Sequence, residues 1–320
     1  MIIVLLISIL IVMFVWKMIY RKLWQKELFV KFAFEQPYVY AGESVQLNEI
    51  IENRKKMPVA PLEVRFRVKK GLLFQEIENT YVSDYIYKRD IYALMGTRRI
   101  TRSISVSCKK RGVYAIEDVS LFAYSLMFDQ TYHKELQTDT QLYVYAKRTN
   151  VEDILKASAN TFTSVKNGRI MIYLDVEDKG TLKKEGLKEE AISVAASLYQ
   201  KLLEKGVEVG ICINLYDEKK EKNFYLSPSR SKSNWMELEQ TLAMEWKEDF
   251  ESDFEKVLEI APGDTIPVII SKNISSHRIQ LGEMLCGEKT KGIWVIPHEP
   301  EEEPSVYSDS FLFIKREVYE

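Results

Sequence analysis

The apolar pattern of the chain changes its period along the length. Over "MIIVLLISILIVMFVW", Met1 to Trp16, there is no period: no residue is charged, and Ser8 is the one polar side chain. The "MIY" after Lys17 carries the run to Tyr20. A helix of about 20 apolar residues is roughly 30 Å long, the depth of a hydrocarbon core. From about Glu27 to Tyr145 the period is two. In "PLEVRFRVK", Leu62, Val64, Phe66 and Val68 share one face, while Glu63, Arg65, Arg67 and Lys69 share the other. "RSISVSCK" repeats the pattern with Ile104, Val106 and Cys108 inward. "ESVQLNEI" begins it at Val45 and Leu47 and breaks at Glu49, where a bulge is expected. Turn residues at Ala41-Gly42, "NRKKMPVAP", Gly96 and Arg111-Gly112 divide the runs. Together they predict an antiparallel β-sandwich of about seven strands.

After Thr149, apolar runs alternate with helical spacing. Residues 169–174, 207–213, 224–226, 265–271, 292–296 and 310–317 read as strands. Leu187, Ala191, Val194, Ala195, Leu198 and Leu202 form one helical face, which Gly206 closes. Trp235, Leu238, Leu242 and Trp246 mark a second helix, Phe250, Phe254, Val257 and Leu258 a short third, and another is expected around 276–286. Pro267 suits the start or the edge of its strand. This alternation predicts a mainly parallel sheet covered on both faces. The expected organisation is an anchor over 1–20, a sandwich over 21–148, a connector over 149–165 and an α/β domain over 166–320.

Charge sets direction. Lys17, Arg21, Lys22 and Lys26 follow the apolar run and none precedes it, so the remaining chain is expected on the cytoplasmic side of a cell membrane crossed once. Trp16, Tyr20 and Trp24 suit the interface. No basic stretch precedes the run and no small-x-small site follows it, which favours an uncleaved anchor over a signal peptide. The formal net charge of −2 offers no field for nucleic acid. Cys108, Cys212 and Cys286 are odd in number and widely spaced, so neither a zinc knuckle nor a disulfide framework is expected, and a reducing compartment is.

Chemistry-bearing motifs are sparse. His133, His277 and His298 lie in different elements, and no H-x-x-x-H, phosphate loop or G-x-S-x-G is present, so no catalysis is expected. Arg65, Arg67, Lys69 and Lys70 make a basic row; Glu63 in the same row favours a solvated strand face over an anionic-lipid site. Glu189-Glu190 is expected to be solvated, "EPEEEP" (299–304) to be an exposed loop, and "KREVYE" to fray. In "RIMIYLDVED", Asp175 ends a buried strand, where ligands collect in open α/β sheets, and Glu177 and Asp178 follow. Two readings stand: a hard-cation site, magnesium for instance, on Asp175 and Glu177, or a carboxylate that caps its own loop.

Three stretches carry a resemblance: "YAGESVQLNEIIENRKKMPVAPLEVRF", "KKRGVYAIEDVSLFAYSLMFD" and "RIMIYLDVED". In this order they resemble the bacterial family catalogued as domain of unknown function 58. The resemblance implies an α+β multidomain chain: a transmembrane helix, an antiparallel β-sandwich, then a von Willebrand factor A-like, Rossmann-like α/β domain. It implies a non-catalytic interaction or scaffold protein, accessory to a MoxR-type ATPase of the AAA class in the assembly or maturation of envelope complexes. Two departures bear on this. The family's R-x-Y-x-x-G-D and R-x-I-x-W-x-A-S-A-R element is reduced here to Lys156–Ala159, so the connector is shortened, as in a divergent or decayed member. Cation-binding A-domains carry D-x-S-x-S, where this chain has Asp175, Glu177 and Lys179, and the strand near 266–271 ends in "SKN", with Ser271 and Asn273, rather than with the Asp expected of a third ligand. The alternative is a divalent-cation-dependent binding module or enzyme that uses Asp175 and Glu177.

Overall fold

The computed structural model describes residues 2–76, 78–125, 130–156, 169–177, 184–217, 222–244, 246, 253–260, 264–286 and 291–319. The chain divides into two compact units, Met1–Val144 and Tyr145–Glu320.

Among the described residues of the first unit, a helix α1 (Ile2–Leu23) precedes twelve strands in three sheets. α1 is long and apolar enough to cross a membrane. The strands are β1 (Leu28–Phe34), β2 (Tyr38–Tyr40), β3 (Ser44–Asn53), β4 (Val59–Lys69), β5 (Leu72–Phe74) and β6 (Thr80–Val82). They continue with β7 (Tyr85–Leu94), β8 (Arg98–Cys108), β9 (Gly112–Ala115), β10 (Glu117–Tyr124), β11 (Thr131–Leu136) and β12 (Gln141–Tyr145). Two sheets, β1-β3-β8-β5 and β11-β10-β4-β7-β6, face each other, and β2-β12-β9 forms a small third. The interior is the in-phase set read from the sequence: Leu62, Val64, Phe66 and Val68 of β4 meet Val45, Leu47 and Ile51 of β3 and Ile104, Val106 and Cys108 of β8. Phe32 of β1 bridges the sheets edge-on to Phe66, ring centroids 4.9 Å apart. Each such side chain contributes about 1.5–3 kcal/mol on burial.

Of the five strands beyond the seven expected, three are accounted for by their shortness. β2, β5 and β6 have three residues each, too few to display a period. The bulge expected at Glu49 is absent: β3 pairs with β8 without a register shift from Ser44 to Asn53. Glu49 instead points inward and is buried, its Oε2 accepting from the Tyr92 hydroxyl at 2.6 Å. Lys88 and Asp90 of β7 are also buried here, 3.7 Å apart, and Arg102 of β8 forms an ion pair with Asp90 at 2.7 Å. One layer of the sandwich interior is therefore polar.

The second unit is an open sheet, β13 (Arg169–Leu174), β14 (Glu208–Asp217), β15 (Lys222–Ser229), β16 (Ile266–Ile270), β17 (Gly292–His298) and β18 (Phe311–Glu317). Its spatial order is β15-β14-β13-β16-β17-β18. Every neighbouring pair is parallel except β14–β15. Helices α2 (Glu185–Glu204), α3 (Lys232–Ala243), α4 (Phe254–Leu258) and α5 (Ser276–Leu285) cover it. Along β13 the side chains alternate between two cores. Ile170, Ile172 and Leu174 pack with the α2 and α3 residues, Met171 and Tyr173 with those of α4. A strand buried on both faces reads as a continuous apolar run, as this one does. α2 ends where Gly206 takes φ +75°, and Val207 donates to Leu202 O at 3.0 Å. Pro267 sits neither at an edge nor first in its strand. It pairs with Met171 of β13 but precedes the stretch where β17 pairs, which starts at Val268, so its missing N–H costs no ladder bond on that side.

The division at residues 144 and 145 puts 149–156 in the second unit, where Val151, Ile154 and Leu155 are buried, rather than in a connector. The rest of the expected connector, from 157, lies outside the described residues. The carboxyl-terminal tail is pinned rather than frayed. Val318 donates to His298 O at 2.9 Å, and Arg316 donates to Glu190 at 2.5 Å and to Asn150 O at 2.8 Å. Glu190 is thus engaged, not simply solvated.

Candidate functional site

The order of the six strands reverses between β13 and β16. In open α/β sheets the crevice at that reversal, beyond the strands' carboxyl ends, is where ligands sit. Asp175 follows β13 directly, its N–H bonded to Ile270 O at 2.9 Å, and it is 4% exposed. Burying a carboxylate there is tolerable only with full compensation.

Four donors supply it. Oδ1 accepts from Asn214 Nδ2 of β14 at 2.9 Å and from the Glu177 amide at 3.0 Å. Oδ2 accepts from Ser271 Oγ at 2.7 Å and from Arg278 at 2.6 Å. Asn214 is fixed in turn, its Oδ1 accepting from the Val176 amide at 2.8 Å. Ser271 follows β16 and also accepts from the Asn273 amide at 3.0 Å. Arg278 stands on the first turn of α5, whose N-cap is Ser275. Its second nitrogen donates to Glu177 Oε2 at 2.5 Å, and its guanidinium lies 5.4 Å from the centre of the Phe254 ring of α4. The guanidinium is buried, so the two carboxylates share one internal cation.

Burial pushes the Asp175 carboxyl up; Arg278, Ser271 and the Glu177 amide pull against it. Burial also works against charge on Arg278, but Asp175 and Glu177 outweigh it and leave its pKa above the usual value. Arginine does not lose its proton in proteins, so the positive charge in the crevice is permanent.

A divalent cation of the A-domain kind does not fit this donor set. Both Asp175 oxygens and Glu177 Oε2 are committed, the Ser271 hydroxyl donates its proton to Asp175, and a permanent positive charge stands among them. Among the described residues no group of three or more His, Cys, Asp or Glu is arranged to hold a metal. The structure thus brings together Asp175, Glu177 and Ser271 as the sequence placed them, and Asn273 through Ser271. Asp178 and Lys179 lie outside the described residues. Sequence reasoning missed Arg278 and Asn214. A cation on the first turn of a helix opposes the helix dipole, and that was the available signal that α5 faces an anion.

The basic row of β4 is also internally paired. Glu63 is fully buried, with Arg65 and Arg89 on it and the Tyr124 hydroxyl donating at 2.6 Å. Burial raises the Glu63 pKa, but these three donors outweigh it and hold the carboxyl below the usual range. Arg67 pairs with Asp118 at 2.9 Å.

No protein-family model matches the chain, and no curated protein matches it. Solved structures resemble part of it. The CARDB domain of a Pyrococcus furiosus protein, in complex with di-metal ions, is 10% identical and covers 37% of this chain and 94% of that one, with a TM-score of 0.24. A non-cellulosomal cohesin from Archaeoglobus fulgidus is 11% identical over 40% of this chain and 96% of its own, at 0.24. A type I cohesin–dockerin complex from Clostridium thermocellum is 9% identical over 36% and 98%, at 0.23. At these TM-scores the likeness carries no argument about this chain's fold or about what it binds.

Proposed function

We propose that this chain is a membrane-anchored, non-catalytic interaction protein whose second unit is a von Willebrand factor A-like docking module. The observation that carries the reading is the state of the Asp175 crevice. The carboxylate at the switch point is saturated by protein donors and neutralised by a fixed guanidinium. A general acid or base needs an available proton site within reach of substrate. Here that capacity is spent on holding β13, β14, β16 and α5 together. The strand order and the antiparallel β15 support the A-like assignment. The apolar α1, with its basic carboxyl-terminal flank, supports a single membrane pass with both units in the cytoplasm. The partner implied by the family resemblance is a MoxR-type ATPase of the AAA class, in the assembly or maturation of envelope complexes.

Cross-linking in native membranes followed by affinity purification of the full chain is expected to recover a stoichiometric AAA ATPase. A clean preparation without a stoichiometric partner would sink the docking role. Digestion of the globular units by protease added to intact cells would sink the cytoplasmic placement.

A further inference from the structure

The foot of α1 is not a free linker. Tyr20 and Trp24 are buried, with ring centroids 5.7 and 6.3 Å from that of Tyr132 on β11. Lys55, on the turn between β3 and β4, donates to the carbonyls of Trp24 at 2.7 Å and Lys26 at 2.8 Å, just past the end of α1. The Arg54 amide donates to Glu27 O at 3.0 Å. The turn between β7 and β8 joins the same place. Thr97 donates to Lys55 O at 2.9 Å, and Asn53 Nδ2 bridges Met57 O at 2.9 Å and Met95 O at 3.1 Å. The two turns touch so closely that a Cβ on Gly96 would lie 2.0 Å from Lys56 O.

This clustering gathers charge. Residues 21–27, 52–56 and 95–99 contain eight Lys or Arg and two Glu. Of the two Glu, Glu52 is already held by Arg54 at 2.8 Å. Lys56, Arg98 and Arg99 are exposed, and so is the apolar Met95 at the tip of the second turn. Lys55 ties the first turn to the end of α1, and Thr97 ties the second turn to Lys55, so these side chains cluster beside the helix exit; a charged surface acts over about 8 Å at physiological salt.

We infer that the β3–β4 and β7–β8 turns, with the end of α1, form a lipid-facing surface that binds the anionic phospholipid headgroups of the leaflet from which α1 emerges. The inference rests on the membrane-anchor reading above. The contact fixes the sandwich against the bilayer instead of letting it swing on a tether. The fold supplies its own control: β8 runs from Arg98 to Cys108, so Lys109, Lys110 and Arg111 lie at the opposite pole, about 35 Å away by strand rise.

The test uses the full chain in vesicles with spin-labelled phosphatidylglycerol and phosphatidylcholine, reading the relative association of the two lipids. The unaltered chain prefers phosphatidylglycerol. Lys56→Glu/Arg98→Glu/Arg99→Glu reduces that preference at least about fivefold, the weight of a single basic residue at an anionic surface. The milder Lys56→Gln/Arg98→Gln/Arg99→Gln reduces it in the same direction and guards against misfolding of the first. Lys109→Glu/Lys110→Glu/Arg111→Glu leaves it unchanged. Equal preference in the unaltered and both turn variants, or an equal fall in the polar control, overturns the lipid-facing surface alone. Release of the chain by alkaline carbonate overturns the anchor and this surface with it.

Discussion

Replacing Arg278 with Met keeps the bulk of the side chain and removes the charge that Asp175 and Glu177 share. Asp175 then keeps Ser271, Asn214 and the Glu177 amide, but loses its counter-ion in a site where its side chain is 1% exposed. Breaking a buried pair by removing one partner costs about 3–5 kcal/mol. For a unit spanning Tyr145–Glu320 this lowers the melting temperature by roughly 6–20 °C. The loss depends on pH in a definite sense. Burial raises the Asp175 pKa, and without the guanidinium that rise loses its main opposition. The folded state of the variant then binds more protons than the unfolded one between the two pKa values, so its stability falls as pH rises. The deficit is full above the folded pKa and shrinks as pH drops through it toward the unfolded value. Thermal unfolding of the full chain in nanodiscs, with hydrogen exchange of peptides over 169–177 and 266–271 assigning the transition, reads both effects. Adding Asp175→Asn to Arg278→Met recovers part of the loss, because the uncompensated charge goes too. A variant within about 1 kcal/mol of the parent, or a deficit that grows on acidification, would show that Arg278 is not the counter-ion Asp175 depends on.

Other substitutions probe the remaining polar interior and the turns. Burial raises the Glu49 carboxyl to about 7, with the Tyr92 hydroxyl opposing. Since its folded pKa exceeds the unfolded value, stability of the first unit falls as pH rises from about 4.5 to about 7, by up to about 3 kcal/mol. Glu49→Gln removes that slope and stabilises the unit at pH 8, measured by denaturant unfolding; an unchanged slope contradicts the assignment. Gly206→Ala, at φ +75°, costs about 1 kcal/mol by thermal unfolding; no cost means the left-handed cap is not required. Arg316→Ala frees the tail from Glu190 and Asn150, so limited proteolysis within 311–319 accelerates; an unchanged rate would show that β18 alone holds it.

What the sequence made legible was whatever depends on neighbours in the chain. The apolar run of β13, the face of α2 from Leu187 to Leu202 and the alternation of β4 all stand where their periods put them. What it hid depends on distant partners. Glu49 fits the inward phase of β3, but an acid at an inward position reads as a break until its partner Tyr92, 43 residues away on β7, is known. Arg278 reaches Asp175 across 103 residues, and its place on the first turn of α5 signals an anion without saying which one. The crevice was located from Asp175, and Ser271 with it, because strand ends are local; Asn214 and Arg278 were not, because they come from the middle of β14 and from α5.

The positive charge of the crevice is Arg278 and not a metal ion. Calorimetric titration of the full chain with magnesium and with manganese tests it most directly. Neither ion gives saturable heat if Arg278 holds the site; tight binding that Asp175→Ala abolishes would show that a metal ion belongs there.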